Sequence, residues 1–258
     1  MISFFRIAPL LCIAAVLLAC SSSAVPENPT AENEFRLGQE EYLDGNYQEA
    51  VQHFEVIRLQ FPGSSTADSA RYFTALCRYQ REEYLLASYE FNQIIQSGSS
   101  RELMADAYYQ FAQCYYQLAP KVQLDQTYTS RAIDALQNFV EAYPKHAKAQ
   151  DVEKQVIELV NRLAEKEYDT AILYEKMEVP ESALIYFNTV VDRYYNTDYA
   201  DDAFAGKVRS LLAMKRYADV LSAEKDFLEK YPASEYRKEV EENAAKASSL
   251  ASQAGESK

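Results

Sequence analysis

Helix breakers are scarce in this chain, with six glycines and eight prolines among 258 residues. Tryptophan is absent, and His53 and His146 are the only histidines. They do not form the HExxH spacing that puts two ligands and a base on one helix face. The chain also has no GxSxG elbow, no phosphate-cradling glycine loop and no paired-cysteine metal site. Carboxylate pairs such as Glu40/Glu41 and Asp201/Asp202 are plentiful, but 39 acidic residues produce such pairs on solvated helix faces anyway. No catalytic constellation results, and the expectation is a protein that is not an enzyme. Positive charge is also short. The 26 Lys and Arg leave a net charge of −13, and no basic cluster interrupts it. Nucleic acid and anionic lipid surfaces are therefore poor partners.

Four cysteines are too few for a disulfide framework, and one of them stands out by position. Arg6 and the apolar stretch IAPLLCIAAVLLA precede Cys20. That stretch has 13 residues, well short of the ~20 needed to cross a bilayer. It reads as a signal peptide covering residues 1–19. Leu17-Leu18-Ala19-Cys20 resembles the lipobox of bacterial lipoproteins, in which the cysteine takes a diacylglycerol and, after cleavage, an N-acyl chain; the alternative is plain secretion. Each buried CH₂ adds ~0.8 kcal/mol, so several chains anchor firmly where one does not. No cofactor is expected beyond this covalent lipid. Residues 20–32, without apolar periodicity, form the lipidated tether.

What the rest of the chain has is repetition. GNYQEAVQHFEVIRLQFP (45–62) carries Tyr47, Ala50, Phe54 and Pro62 at the spacing of the second helix of a tetratricopeptide repeat, a unit of about 34 residues. Gly38 supplies the small residue of the first helix. The pattern returns with Tyr84, Ala87 and Phe91, then with Ala132, Leu136 and Pro144. A fourth copy has Ala183 and Phe187, led by a helix with Ala171 and Tyr174. The fifth keeps Tyr217 and Pro232 but has Val220 and Glu224 at the small and aromatic positions. Small residues let paired helices approach, aromatics fill between them, and proline ends the second helix. The fold class is all-α: a solenoid of five helix-turn-helix repeats with a C-terminal capping helix. Residues 33–118 hold repeats 1 and 2 and helix A of repeat 3. APKVQLDQTYTS (119–130) is an insertion, residues 131–232 complete repeats 3 to 5, and 233–258 are the cap and a frayed tail.

Phe35, Tyr72 and Tyr109 lie 37 residues apart, as do Tyr42, Tyr79 and Tyr116. Within each A helix the two members are seven apart and share a face. Stacked helices turn them into two aromatic columns. Two readings stay open: a groove for an extended peptide with aromatic side chains, or rings packed between adjacent repeats. Cys77 and Cys114 share the same offset, as small core fillers would, rather than as a redox pair.

Three stretches go beyond generic repeat character: LDQTYTSRAIDALQNFVEAYP (124–144), RLAEKEYDTAILYEK (162–176) and VVDRYYNTDYADDA (190–203). With the lipobox, they resemble the BamD family of outer-membrane β-barrel assembly lipoproteins. Tyr195 stands where that family has proline, which should lengthen or soften the helix end. The resemblance implies a protein on the periplasmic face of the outer membrane. It implies C-terminal repeats that bind the POTRA region of a BamA-like barrel protein. It also implies N-terminal repeats that meet the C-termini of unfolded outer-membrane proteins. The other reading is a different tetratricopeptide envelope lipoprotein, such as a secretin pilot or envelope coordinator.

Overall fold

Small-to-large packing between consecutive helices organises the molecule. The computed structural model describes residues 29–256, so the signal segment and Cys20 lie outside the described residues. Eleven helices occupy the described residues: α1 (Ala31–Leu43), α2 (Tyr47–Gln60), α3 (Ala67–Gln80), α4 (Tyr84–Ser97), α5 (Arg101–Leu118), α6 (Thr127–Ala142), α7 (Ala149–Lys176), α8 (Pro180–Arg193), α9 (Ala200–Ala213), α10 (Tyr217–Lys230) and α11 (Arg237–Glu256). They form five antiparallel hairpins and a closing helix, each hairpin packed on the next. Thr30 caps α1 through its side chain, so the helix takes in the last two residues of the expected tether.

Every second helix of a hairpin buries one phenylalanine completely: Phe54, Phe91, Phe139, Phe187 and Phe227. In α6 and α10 the ring sits one turn later than the repeat pattern places it. Phe139 and Phe227 occupy the turn that Ile57 holds in α2, while Leu136 and Ala223 fill the space before them. The lost aromatic position at Glu224 is thus made good within one helix. Gly38 lies against Phe54, and a Cβ there would come within 2.6 Å of its ring.

Two turns recur. Between the helices of a hairpin the chain reverses through a left-handed residue, at Gly45, Glu82, Glu178 and Lys215. In each, the next amide bonds back to a carbonyl five residues earlier, as Asn46 N–H does to Glu41 and Val179 N–H to Tyr174. Between hairpins, Phe61, Tyr143, Tyr194 and Tyr231 each donate a backbone bond to the residue four earlier and accept one from the residue three later. This turn forms at Tyr194-Tyr195 as it does at the prolines, and α8 stops after 14 residues, like α2 and α10. The expected lengthening of the helix at Tyr195 does not occur. The Thr197 hydroxyl donates to the Tyr194 carbonyl at 2.6 Å, so hydrogen bonds rather than a fixed proline φ close the turn.

The third hairpin departs from the others. The insertion is shorter than the expected 119–130, because α6 starts at Thr127 and takes in its last residues. What remains, 119–126, is an ordered loop. The Gln126 amide donates to the carbonyls of Lys121, Val122 and Leu124. Arg162 on α7 donates to those of Ala119 and Pro120, and Lys166 to that of Gln123. Helix α7 itself has 28 residues, twice the length of α8, and merges the fourth A helix with the segment before it. Its Val152 and Leu159 belong to the core shared with α5 and α6, its Ala164 and Ala171 to the core shared with α8–α11. The closing helix continues through Glu256, into the stretch expected as a frayed tail.

Candidate functional site: the aromatic columns and the C-terminal helix face

Because α1, α3 and α5 stack with the same register, all six expected rings fall on one series of helices, each half-buried. Phe35 lies 5.8 Å from Phe54 and 5.6 Å edge-on from Phe73, and Tyr42 lies 5.6 Å from Tyr47. Tyr72 meets Phe91 at 5.6 Å, Tyr79 meets Tyr84 at 5.2 Å and Tyr109 meets Phe139 at 5.6 Å. The hydroxyls reach the next repeat. Those of Tyr42, Tyr72 and Tyr79 lie in hydrogen-bonding reach of Gln80, Gln110 and Gln117, and Tyr116 donates to Glu158 at 2.7 Å. Burial pushes the Tyr72 phenol up to about 12, and raises Tyr42, Tyr79, Tyr109 and Tyr116 in the same direction. Phe35, Tyr42, Tyr72 and Tyr79 therefore pack on their own hairpin and reach the next one, Tyr109 packs on its own hairpin, Tyr116 reaches α7, and all six stay partly exposed. Such rings offer apolar and quadrupolar contacts to a peptide without any rearrangement of the backbone.

Cys77 and Cys114 are fully buried in two adjacent cores, and burial pushes both thiols up to about 12. Without thiolate they are poor nucleophiles. His53 is paired with Glu34 at 2.7 Å, and His146 stacks on Tyr109.

Sequence reasoning missed the second cluster. Arg209 on α9 forms ion pairs with Glu175 on α7 at 2.6 Å and with Glu239 on α11 at 2.8 Å. Burial works against its charge, but the two carboxylates outweigh that and raise its pKa. Asp201 and Asp202, read from sequence as a solvated pair, are engaged. Asp201 accepts from the Ser234 hydroxyl at 2.7 Å, and the Tyr236 phenol is raised first by its hydrogen bond to Asp202. These contacts join three non-consecutive helices, a relation that no local spacing carries.

Among the described residues no helix is long and apolar enough to cross a membrane, and no group of three or more His, Cys, Asp or Glu is placed to hold a metal. Stacked hairpins with the tetratricopeptide small–aromatic pattern define a helical-repeat protein of the solenoid class. The chain belongs to the YfiO family of outer membrane lipoproteins, whose profile matches residues 27–226. The outer membrane protein assembly factor BamD of Caulobacter vibrioides is 27% identical over 224 residues, covering 83% of this chain and 73% of that protein. The factor of the same name from Rickettsia prowazekii is 29% identical over 182 residues, covering 68% and 72% respectively. Of solved structures, a TPR repeats protein from Bacteroides fragilis is similar with a TM-score of 0.41 at 17% identity, covering 86% of this chain and 85% of that one. The TPR2AB domain of yeast Sti1 is similar with a TM-score of 0.39 at 15% identity, covering 84% and 98%.

Proposed function

We propose that this protein is an outer-membrane protein assembly factor of the BamD type: a non-catalytic scaffold, lipid-tethered through Cys20 to the periplasmic face of the outer membrane. The observation that carries the reading is the family match over residues 27–226, together with relatives that bear that name across most of their length. Since α1 begins at Ala31, the tether is Ser21–Thr30 and spans at most ~36 Å. The first hairpins thus work within a few nanometres of the bilayer. The N-terminal repeats take up the C-terminal ends of unfolded outer-membrane proteins, with aromatic edges on α1, α3 and α5 giving affinity and the groove giving selectivity. The C-terminal repeats hold the POTRA region of a BamA-like barrel protein.

Co-purification of the tagged full chain from its own envelope tests this reading. A BamA-like barrel protein should be recovered; recovery of a secretin or another envelope complex in its place overturns it. Two variants refine the test. Cys20→Ser should remove the covalent lipid, read as the loss of its mass from the mature protein. Replacing Tyr42, Tyr79 and Tyr116 together by Leu, which keeps apolar bulk, should weaken binding of a C-terminal barrel peptide about tenfold. If helicity and binding both survive unchanged, the rings serve packing alone.

A further inference from the structure

The length mismatch within the fourth hairpin leaves a surface bare. Helix α8 has 14 residues against the 28 of α7, so it runs alongside only the C-terminal half of its partner. The C-terminal end of α8 is held against α7. The Arg193 charge acts on Glu167 of α7, and the turn that follows donates from the Asp198 amide to the Asn161 side chain at 3.0 Å. One helical turn before Asn161, on the same face, stands Ile157, which is 61% exposed. Here α6 and α7 enclose a cleft of about 480 Å³, with Val140, Val156 and Ile157 as its apolar wall and Glu141 and Glu153 on its rim. Both carboxylates are exposed, and neither has an ion-pair or hydrogen-bond partner among the described residues.

We propose that this cleft docks a segment of a partner protein that presents an aliphatic side chain flanked by lysine or arginine. The apolar wall fixes the first requirement, since desolvating Ile157 is favourable only against another apolar group. The unpaired rim carboxylates fix the second: covering them with a neutral or acidic segment would leave charge desolvated and uncompensated. The segment occupies the place along α7 that a longer α8 would have filled. The site lies at the junction of the third and fourth hairpins, apart from both the aromatic columns and the C-terminal helices, and stands independently of the roles proposed for them.

The test uses the full chain and a fluorescein-labelled synthetic peptide as long as α8, with leucines at helical i, i+3, i+4 spacing and lysines elsewhere, read by anisotropy. A counterpart with glutamates for lysines serves as the reversed probe. Ile157→Glu, and separately Glu141→Lys with Glu153→Lys, should each weaken the lysine peptide about tenfold. The charge-reversed variant should gain the glutamate peptide. A control with Glu49→Lys and Glu229→Lys, equal in net charge, should change affinity less than about threefold. Equal losses in the control and the rim variant mean that overall acidity alone attracts the peptide, which overturns the proposal. So does a concentration-dependent dimer in sedimentation that Ile157→Glu abolishes, because the occupant is then a second copy of this chain. All variants sit on exposed positions, and unchanged far-ultraviolet circular dichroism verifies their fold.

Discussion

Gly206 lies so close to the buried ring of Phe187 that a Cβ would stand 2.3 Å from it. The ring is fully enclosed and cannot swing away, so the added methyl must displace helix α9 or force an eclipsed rotamer. Gly206→Ala is therefore expected to cost about 1–3 kcal/mol, read as a lowered urea midpoint with an unchanged slope. The effect runs against the usual gain from replacing a helical glycine by alanine, so a neutral or stabilising result would remove close packing as its reason. The repeat pattern made Gly38 legible as a small position, because it falls in register ahead of Phe54. Gly206 was not legible: its partner Phe187 belongs to the preceding hairpin, and only the stacking of hairpins brings the two together.

At the scale of elements, the loop 119–126 shows what composition conceals. Its sequence, with one proline and several polar residues, suits either an ordered excursion or a flexible one. Order comes from α7, where Arg162 and Lys166 satisfy three of its carbonyls and Arg162 also pairs with Glu158. Arg162→Ala removes two charge-assisted bonds and leaves half-buried carbonyls without a donor. A loss of about 1–2 kcal/mol is expected, with trypsin cleaving after Lys121 well before it cleaves the helices. Unaltered protection at Lys121 would mean that the Gln126 bonds suffice to hold the loop. The doubled length of α7 belongs to the same account. A 28-residue helix keeps two cores in line that a pair of short helices would leave free to pivot, and it exposes the α6–α7 cleft as a consequence.

For the molecule as a whole, burial raises a set of acids that are neutral in the fold. Cys77 and Cys114 move from 9.0 to about 12, and Tyr72 from 10.0 to about 12. A group whose folded pKa exceeds its unfolded one binds its proton more tightly in the fold. Its contribution is whole below the unfolded pKa and is lost as pH rises through the folded value. Stability should therefore hold to about pH 9 and fall progressively toward pH 12, by on the order of a few kcal/mol. Urea midpoints at pH 8, 10 and 11 measure this, and a midpoint that does not move across the series would show that these groups open without global unfolding.

The repeat class, the all-helical content, the fully buried cysteines and the registered columns Phe35/Tyr72/Tyr109 and Tyr42/Tyr79/Tyr116 were determined by the amino-acid sequence alone. Each depends on a short period that a helix converts directly into a face, and on a small–large pairing within one hairpin. The Arg209 link from Glu175 to Glu239, the tasks of Asp201 and Asp202, the shift of the ring from the Glu224 position to Phe227, and the bare flank of α7 were decided only by tertiary structure. These depend on how far one helix outruns its partner and on which non-consecutive helices meet. Such distances are set by packing in three dimensions and leave no period in the chain.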